Sequence, residues 1–131
     1  MKKSHIIVLF FLVFLISSCG TESSGWEFGI KSIEPQNGAT NVPLNQVITV
    51  TFNNDLNWST VVAANFYVVV TQTGVQVPGN ITAAFENTIL FTPASQFSPN
   101  TSYTIYMNAL LEDIWGNFFE GGVTSSFTTT Q

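Results

Sequence analysis

Along most of this chain apolar and polar residues alternate with a period of two. The pattern is clearest from Thr88 to Met107, in the run T-I-L-F-T-P, A-S-Q-F-S-P-N, T-S-Y-T-I-Y-M. Ile89 and Phe91 make one apolar row in its first half. Tyr103, Ile105 and Met107 alternate with Thr104 and Tyr106 in its second. Such a period places one row on one face of a sheet. Pro93 and Pro99 stop the ladder on either side of the middle segment, because neither carries a backbone N–H. The run therefore predicts strand, proline-marked crossover, strand.

The remaining segments are short and punctuated in the same way. Trp26–Glu34 predicts a first strand with Phe28, Ile30 and Ile33 inward, ended by the turn signal Pro35-Gln-Asn-Gly38. Ala39–Gln46 reads as extended and irregular, with Val42-Pro43-Leu44 dipping toward the core. Val47–Phe52 is a strand with Ile48, Val50 and Phe52 on one face and Thr49 and Thr51 on the other. Asn53-Asn54-Asp55 breaks it. Between Trp58 and Asn65 there is room for one helical turn capped by Ser59, with β-branched Val61 and Val62 opposing anything longer. Phe66, Val68 and Val70 form the next strand, followed by breaks at Thr71–Val75 and Pro78-Gly79. Ile81, Ala83 and Phe85 alternate as a further strand that turns at Glu86-Asn87 into the Thr88 strand. Asn108–Gly122 is the longest irregular stretch, and Val123, Ser125 and Phe127 close the chain on one parity. About seven short strands at intervals of roughly 8 to 12 residues predict an all-β, antiparallel β-sandwich.

The N-terminus has a different pattern. Met1-Lys2-Lys3 is basic, and Ile6–Ile16 is an unbroken apolar run, too short for the roughly 20 residues a bilayer span needs but suited to a signal-peptide core. Ile16-Ser17-Ser18-Cys19 resembles the lipobox of bacterial lipoproteins, in which the cysteine is lipidated and becomes the first residue. The expected organisation is a signal peptide over residues 1–18, a lipidated Cys19 with a small polar tether through residue 27, and one domain over 28–131. The expected location is the bacterial cell envelope, as a membrane-anchored lipoprotein, with the outer membrane or cell surface as one option and inner versus outer membrane left open, and with the membrane as a partner through the acyl chains.

Removal of that leader changes the available chemistry. His5, Lys2 and Lys3 go with it, leaving Lys31 as the single basic residue beside eight carboxylates: Glu22, Glu27, Glu34, Asp55, Glu86, Glu112, Asp113 and Glu120. One cation cannot neutralise a row of phosphates, so a nucleic-acid partner is excluded. Cys19 is the only cysteine, so there is no disulfide and no thiol nucleophile. The domain is expected to fold as a monomer on its apolar residues alone.

From about Ile30 to Thr130 the chain resembles a bacterial Ig-like domain of the type repeated in surface-layer proteins. The resemblance rests on Pro35-x-Asn37-Gly38-Ala39-x-Asn41-Val42-Pro43, Ile48-x-Val50-x-Phe52, and Ser59-Thr60 ahead of Asn65-Phe66. It continues through Phe91-Thr92-Pro93, Phe97-x-Pro99-x-Thr101-x-Tyr103, Asp113-x-x-Gly116-Asn117 and Ser126-Phe127-Thr128-Thr129. Each motif is weak alone; in this order and spacing they are specific together. The loop Asp55-Leu-Asn-Trp58 departs from the family pattern and is individual to this chain. The resemblance implies an Ig-like sandwich without catalytic machinery of its own. Tyr103, just past the Pro99-Asn100 corner, suits a tyrosine corner, its ring in the core and its hydroxyl bonded back to the crossover.

Candidate chemistry is sparse. Glu112-Asp113 is the only adjacent carboxylate pair, but neighbours on an extended chain point apart and no His, Arg or Cys accompanies them, which argues against acid–base catalysis. Asp113-Ile-Trp-Gly-Asn117 offers oxygen ligands for calcium, yet lacks the dense acidic loop of an EF-hand. A self-contained turn is the better reading, with Asp113 and Asn117 bonding local backbone and Gly116 at positive φ. Neither metal nor cofactor is expected. Trp26, Trp58 and Trp115 fall in loops or at a strand start, where they either cap the sandwich ends or form a surface for a protein or glycan partner. The tripeptides at Asn57, Asn80 and Asn100 match a glycosylation pattern that carries no meaning in a bacterial lipoprotein. The expected function is a lipid-anchored, non-catalytic envelope module for binding or adhesion, with Trp115 as leading contact beside Trp58, Asp113 and Asn117. The alternative is a purely structural envelope lipoprotein or a subunit of a larger surface assembly.

Overall fold

Alternation turns into burial where two sheets of four strands face each other. The computed structural model describes residues 27–120 and 122–131. The expected signal peptide, Cys19, Trp26 and the expected tether lie outside the described residues. The strands are β1 (Ile30–Glu34), β2 (Ala39–Val42), β3 (Ile48–Phe52), β4 (Phe66–Val70), β5 (Gly79–Phe85), β6 (Thr88–Pro93), β7 (Ser102–Met107) and β8 (Val123–Thr129). One sheet has the order β1-β3-β6-β5 and the other β2-β8-β7-β4. All neighbours are antiparallel except β2 and β8, which run parallel. The Pro93–Pro99 crossover thus carries the chain from one sheet to the other.

The core follows the predicted rows. Ile48, Val50 and Phe52 of β3, Ile89 and Phe91 of β6, Tyr103, Ile105 and Met107 of β7, and Phe127 of β8 are all buried. Aromatic rings close the sandwich at both ends. Phe28, Phe52 and Phe119 cluster with centroids 5.1–5.9 Å apart at the end where β3 finishes. Phe97, Tyr103 and Phe127 do the same 4.5–5.5 Å apart at the other. The Tyr103 hydroxyl accepts a 2.8 Å bond from the Ser98 backbone N–H, fixing the crossover as a tyrosine corner.

Three local expectations change. Ala39–Val42 is an eighth strand, and its partners on β8 are distant in sequence, so no local alternation marks it. The single helical turn is a 3-10 turn at Trp58–Thr60, capped by Asn57 rather than Ser59. The Asn57 Oδ1 accepts from the Ser59 backbone N–H at 3.3 Å and from its hydroxyl at 2.7 Å. β5 is an edge strand whose pairing slips between Ala83 and Phe85. Ile81 is half-buried, while Ala83 and Phe85 face solvent instead of continuing its row.

Candidate functional site

The end of the sandwich where β3, β5 and β7 finish collects the two irregular segments that the sequence singles out. Residues 53–65 leave β3 and enter β4, and residues 108–122 leave β7 and enter β8. The two loops are bonded to each other. Leu56 and Asp113 form an isolated antiparallel bridge, Ile114 N–H donates to Asp55 O at 3.0 Å, and Asn57 N–H donates to Glu112 O at 2.9 Å. Amide side chains add to the lock. Asn108 Nδ2 donates to Ala64 O and to Asn65 Oδ1 at 2.9 and 3.0 Å, and Asn65 Nδ2 donates to Thr60 O at 2.8 Å. Trp58 and Trp115 therefore stand on loops of one end.

Asp113 holds this arrangement from inside. It is fully buried, yet both carboxylate oxygens are satisfied. Oδ1 accepts from the backbone N–H groups of Trp115 and Asn117 at 3.0 and 2.8 Å. Oδ2 accepts from Asn117 Nδ2 and Asn54 Nδ2, each at 2.8 Å. Burial pushes the carboxyl's pKa up, but the hydrogen bonds from Asn117, Asn54 and Trp115 outweigh it and hold it below its ordinary value of 3.8. A negative charge in this dry position is stable because four donors replace its water. Asp113 N–H donates back to Asn117 O at 3.0 Å, and Gly116 takes φ +83°, a conformation that costs a glycine little. This is the geometry of a turn built around its own aspartate. Among the described residues no cluster of three metal-ligating side chains occurs. Glu112 points elsewhere, its Oε2 accepting from Asn57 Nδ2 at 3.4 Å, so the adjacent carboxylates serve different partners.

The turn projects its tip into solvent. Leu111 and Phe119 are buried on either side and joined by a 2.8 Å backbone bond, so they close the core. Between them Ile114, Trp115 and Phe118 are 55–63% exposed. Trp58 differs: it is half-buried against the core, and its Nε1 donates to Glu86 O at 3.2 Å. Capping is thus done by Phe119, Leu111 and partly by Trp58, which leaves Trp115 free. Asn117 is exposed with its side chain committed to Asp113, so Asp113 and Asn117 frame the surface that Trp115 presents. Asn54, Asn57, Thr60 and Asn108 were missed as members of this site. The only signal for them was the density of Asn in both loops, which reads locally as turn chemistry.

Beside the same end lies an open cleft of about 830 Å³. It is lined by Phe28, Ile30, Phe119 and Val123 and by the polar groups of Asn53, Glu120 and Ser125. Among the described residues the buried Ser125 hydroxyl has no hydrogen-bond partner.

No curated protein matches the chain. Among solved structures, domains 1–6 of the surface layer protein SbsC are similar at 18% identity and a TM-score of 0.59, covering 81% of this chain and 14% of that one. The L,D-transpeptidase from Mycobacterium smegmatis is similar at 18% identity and a TM-score of 0.56, over 79% of this chain and 40% of the enzyme. CopC from Methylosinus trichosporium OB3b is similar at 11% identity and a TM-score of 0.58, over 79% of this chain and 93% of that one. These likenesses are of fold. The chain spans only a small part of the surface-layer protein it matches. The family model for the bacterial Ig-like domain matches residues 27–129, and with the two four-stranded sheets and the Tyr103 corner already described, the chain belongs to the bacterial Ig-like domain family.

Proposed function

We propose that this protein is a lipid-anchored, non-catalytic module of the bacterial envelope that uses the loop end of its sandwich as a recognition surface. One observation carries the reading. Of the eight large apolar residues that the described part of the chain exposes, Val62, Phe85, Leu110, Ile114, Trp115, Phe118 and Val123 belong to the loop end or its strand termini, and only Val75 lies at the other end. Scattered exposed apolar residues need no explanation, but a concentration of them at one end supports an interaction surface there. The turn that bears Trp115 is held rigidly by Asp113, so a binding partner would meet a preformed surface. Family membership and the surface-layer likeness suit an envelope protein, and the lipobox-like Ile16-Ser17-Ser18-Cys19 suits an acyl anchor. The absence of His, Arg and free Cys after residue 19 argues against an enzyme.

Two substitutions test this. Cys19→Ser should abolish incorporation of labelled palmitate; equal labelling of both proteins removes the anchor. Trp115→Ala in the anchored protein should reduce association of the loop end with envelope components, read as crosslinking yield at that end, at least tenfold while its melting temperature stays within about 2 °C of wild type, as expected for an exposed position. Unchanged association would favour a purely structural spacer.

A further inference from the structure

The chain enters the domain at the same end that carries the exposed apolar residues. Asn53, at the close of β3, clamps the entry: its Oδ1 accepts from Gly29 N–H at 2.9 Å, its N–H donates to Gly29 O at 3.0 Å, and its Nδ2 donates to Glu27 O. The C-terminus leaves from the opposite end, where Thr130 N–H donates to Val42 O and Thr130 O accepts from Asn100 N–H. Glu27 follows Cys19 by eight residues, a length that spans no more than about 29 Å even fully extended. With Cys19 acylated, the loop end is therefore the end held next to the bilayer. A module displaying this surface outward, away from its own membrane, would need the reverse polarity.

We infer that the apolar tip formed by Phe85, Leu110, Ile114, Trp115 and Phe118 seats in the headgroup region of the bilayer that anchors the protein, with neutral phospholipid as its ligand. This rests on the lipid-anchored reading above. Trp and Phe on a preformed turn are suited to that depth, where an amphipathic ring meets both apolar and polar surroundings. The anchor makes the contact intramolecular, so a tip too weak to bind vesicles from solution is still driven onto the surface by a high effective concentration. Charge selects the lipid. Glu27, Glu86 and Glu120 are exposed around the tip and Lys31 is the one described cation, so anionic headgroups repel this end while zwitterionic ones do not.

The test uses the full acylated protein, with acylation verified by mass spectrometry, reconstituted in phosphatidylcholine vesicles with or without bromine on the upper acyl chain. In a Trp26→Phe background, which removes the tether tryptophan beside the anchor, tryptophan emission should fall by at least a third in brominated vesicles, and adding Trp115→Phe should remove most of that quenching. Replacing half of the lipid with phosphatidylglycerol should weaken it at least twofold. As a second variant, Phe118→Glu should lift the tip and reduce quenching of the remaining wild-type Trp115. No quenching in an acylated, vesicle-bound protein overturns the inference and leaves the anchor standing, as does quenching that persists in Trp115→Phe. Burial of the tip in native membranes but not in pure lipid assigns this end to a membrane-protein partner and also overturns it. An unacylated Cys19 refutes both readings.

Discussion

Replacing Asp113 by asparagine removes one charge and two acceptor positions without changing side-chain size. If the asparagine keeps its oxygen at the Oδ1 position, the bonds from Trp115 and Asn117 N–H survive. Its new NH2 then faces the Nδ2 groups of Asn54 and Asn117, which lie 2.8 Å from Oδ2 in the native turn. Three donor groups meet with no acceptor among them. A hydrogen bond to a charged group contributes about 1.5–3 kcal/mol, so two of them set an upper bound of about 6. Asn117 is exposed and Asn54 half-buried, so both regain some water, and a loss of about 2–4 kcal/mol is expected. At about 4 °C or more per kcal/mol for a domain this size, the melting temperature should fall by roughly 8–20 °C. Urea denaturation at pH 7 reads the difference directly, with equal slopes for both proteins. The same pair of curves at low pH tests the cause. The folded carboxyl is harder to protonate than the unfolded one, so its contribution is complete at neutral pH and is lost as pH falls below about 3.8 through the lower folded value. The gap between wild type and Asp113→Asn should narrow there. A gap below about 0.5 kcal/mol at pH 7, or one that ignores pH, would refute the turn as a charge-held frame.

Other substitutions probe separate features. Tyr103→Phe leaves the Ser98 N–H without its 2.8 Å partner and should lower stability by about 1–2 kcal/mol in urea denaturation with the fold intact. In Gly79→Ala the new Cβ would fall on the Phe91 ring and 2.7 Å from the Thr92 carbonyl oxygen. A loss of about 1–3 kcal/mol is expected in the same assay, against a change near zero for Gly29→Ala, where none of the described residues lies within 4 Å. Ser125→Ala deletes a buried hydroxyl that has no partner among the described residues and should leave the melting temperature unchanged or raise it by a few degrees, a gain of up to about 1 kcal/mol.

How much of this was legible beforehand depends on whether a feature is local. The rows Ile48-Val50-Phe52 and Tyr103-Ile105-Met107 read directly because a strand's period is local, and the Tyr103 corner read because its partner Ser98 is five residues away. β2 did not read, since its only ladder runs in parallel to β8, far along the chain. Phe85 misled because alternation says which side a residue takes but not whether an edge strand has anything above it. In the site, the bonds from Trp115 and Asn117 N–H to Asp113 were legible from a five-residue motif. The bond from Asn54, 59 residues away, was not, nor was the pairing of Leu56 with Asp113 that brings the two loops together. Whether Trp115 caps the sandwich or faces outward was open in the sequence, because nothing local says which apolar residue of a loop fills the core; Leu111 and Phe119 do so and Trp115 is exposed.

The claim that the loop end is the working surface is tested most directly by hydrogen–deuterium exchange. The measurement compares the full acylated protein in native envelope membranes with the same protein in detergent-free solution after its acyl chains are removed. Slower exchange in membranes is expected at residues 110–118 and at the Phe85-Glu86 hairpin, with the 71–76 and 94–100 segments of the opposite end unchanged. Protection at those distal segments instead, or uniform exchange in both states, would contradict it.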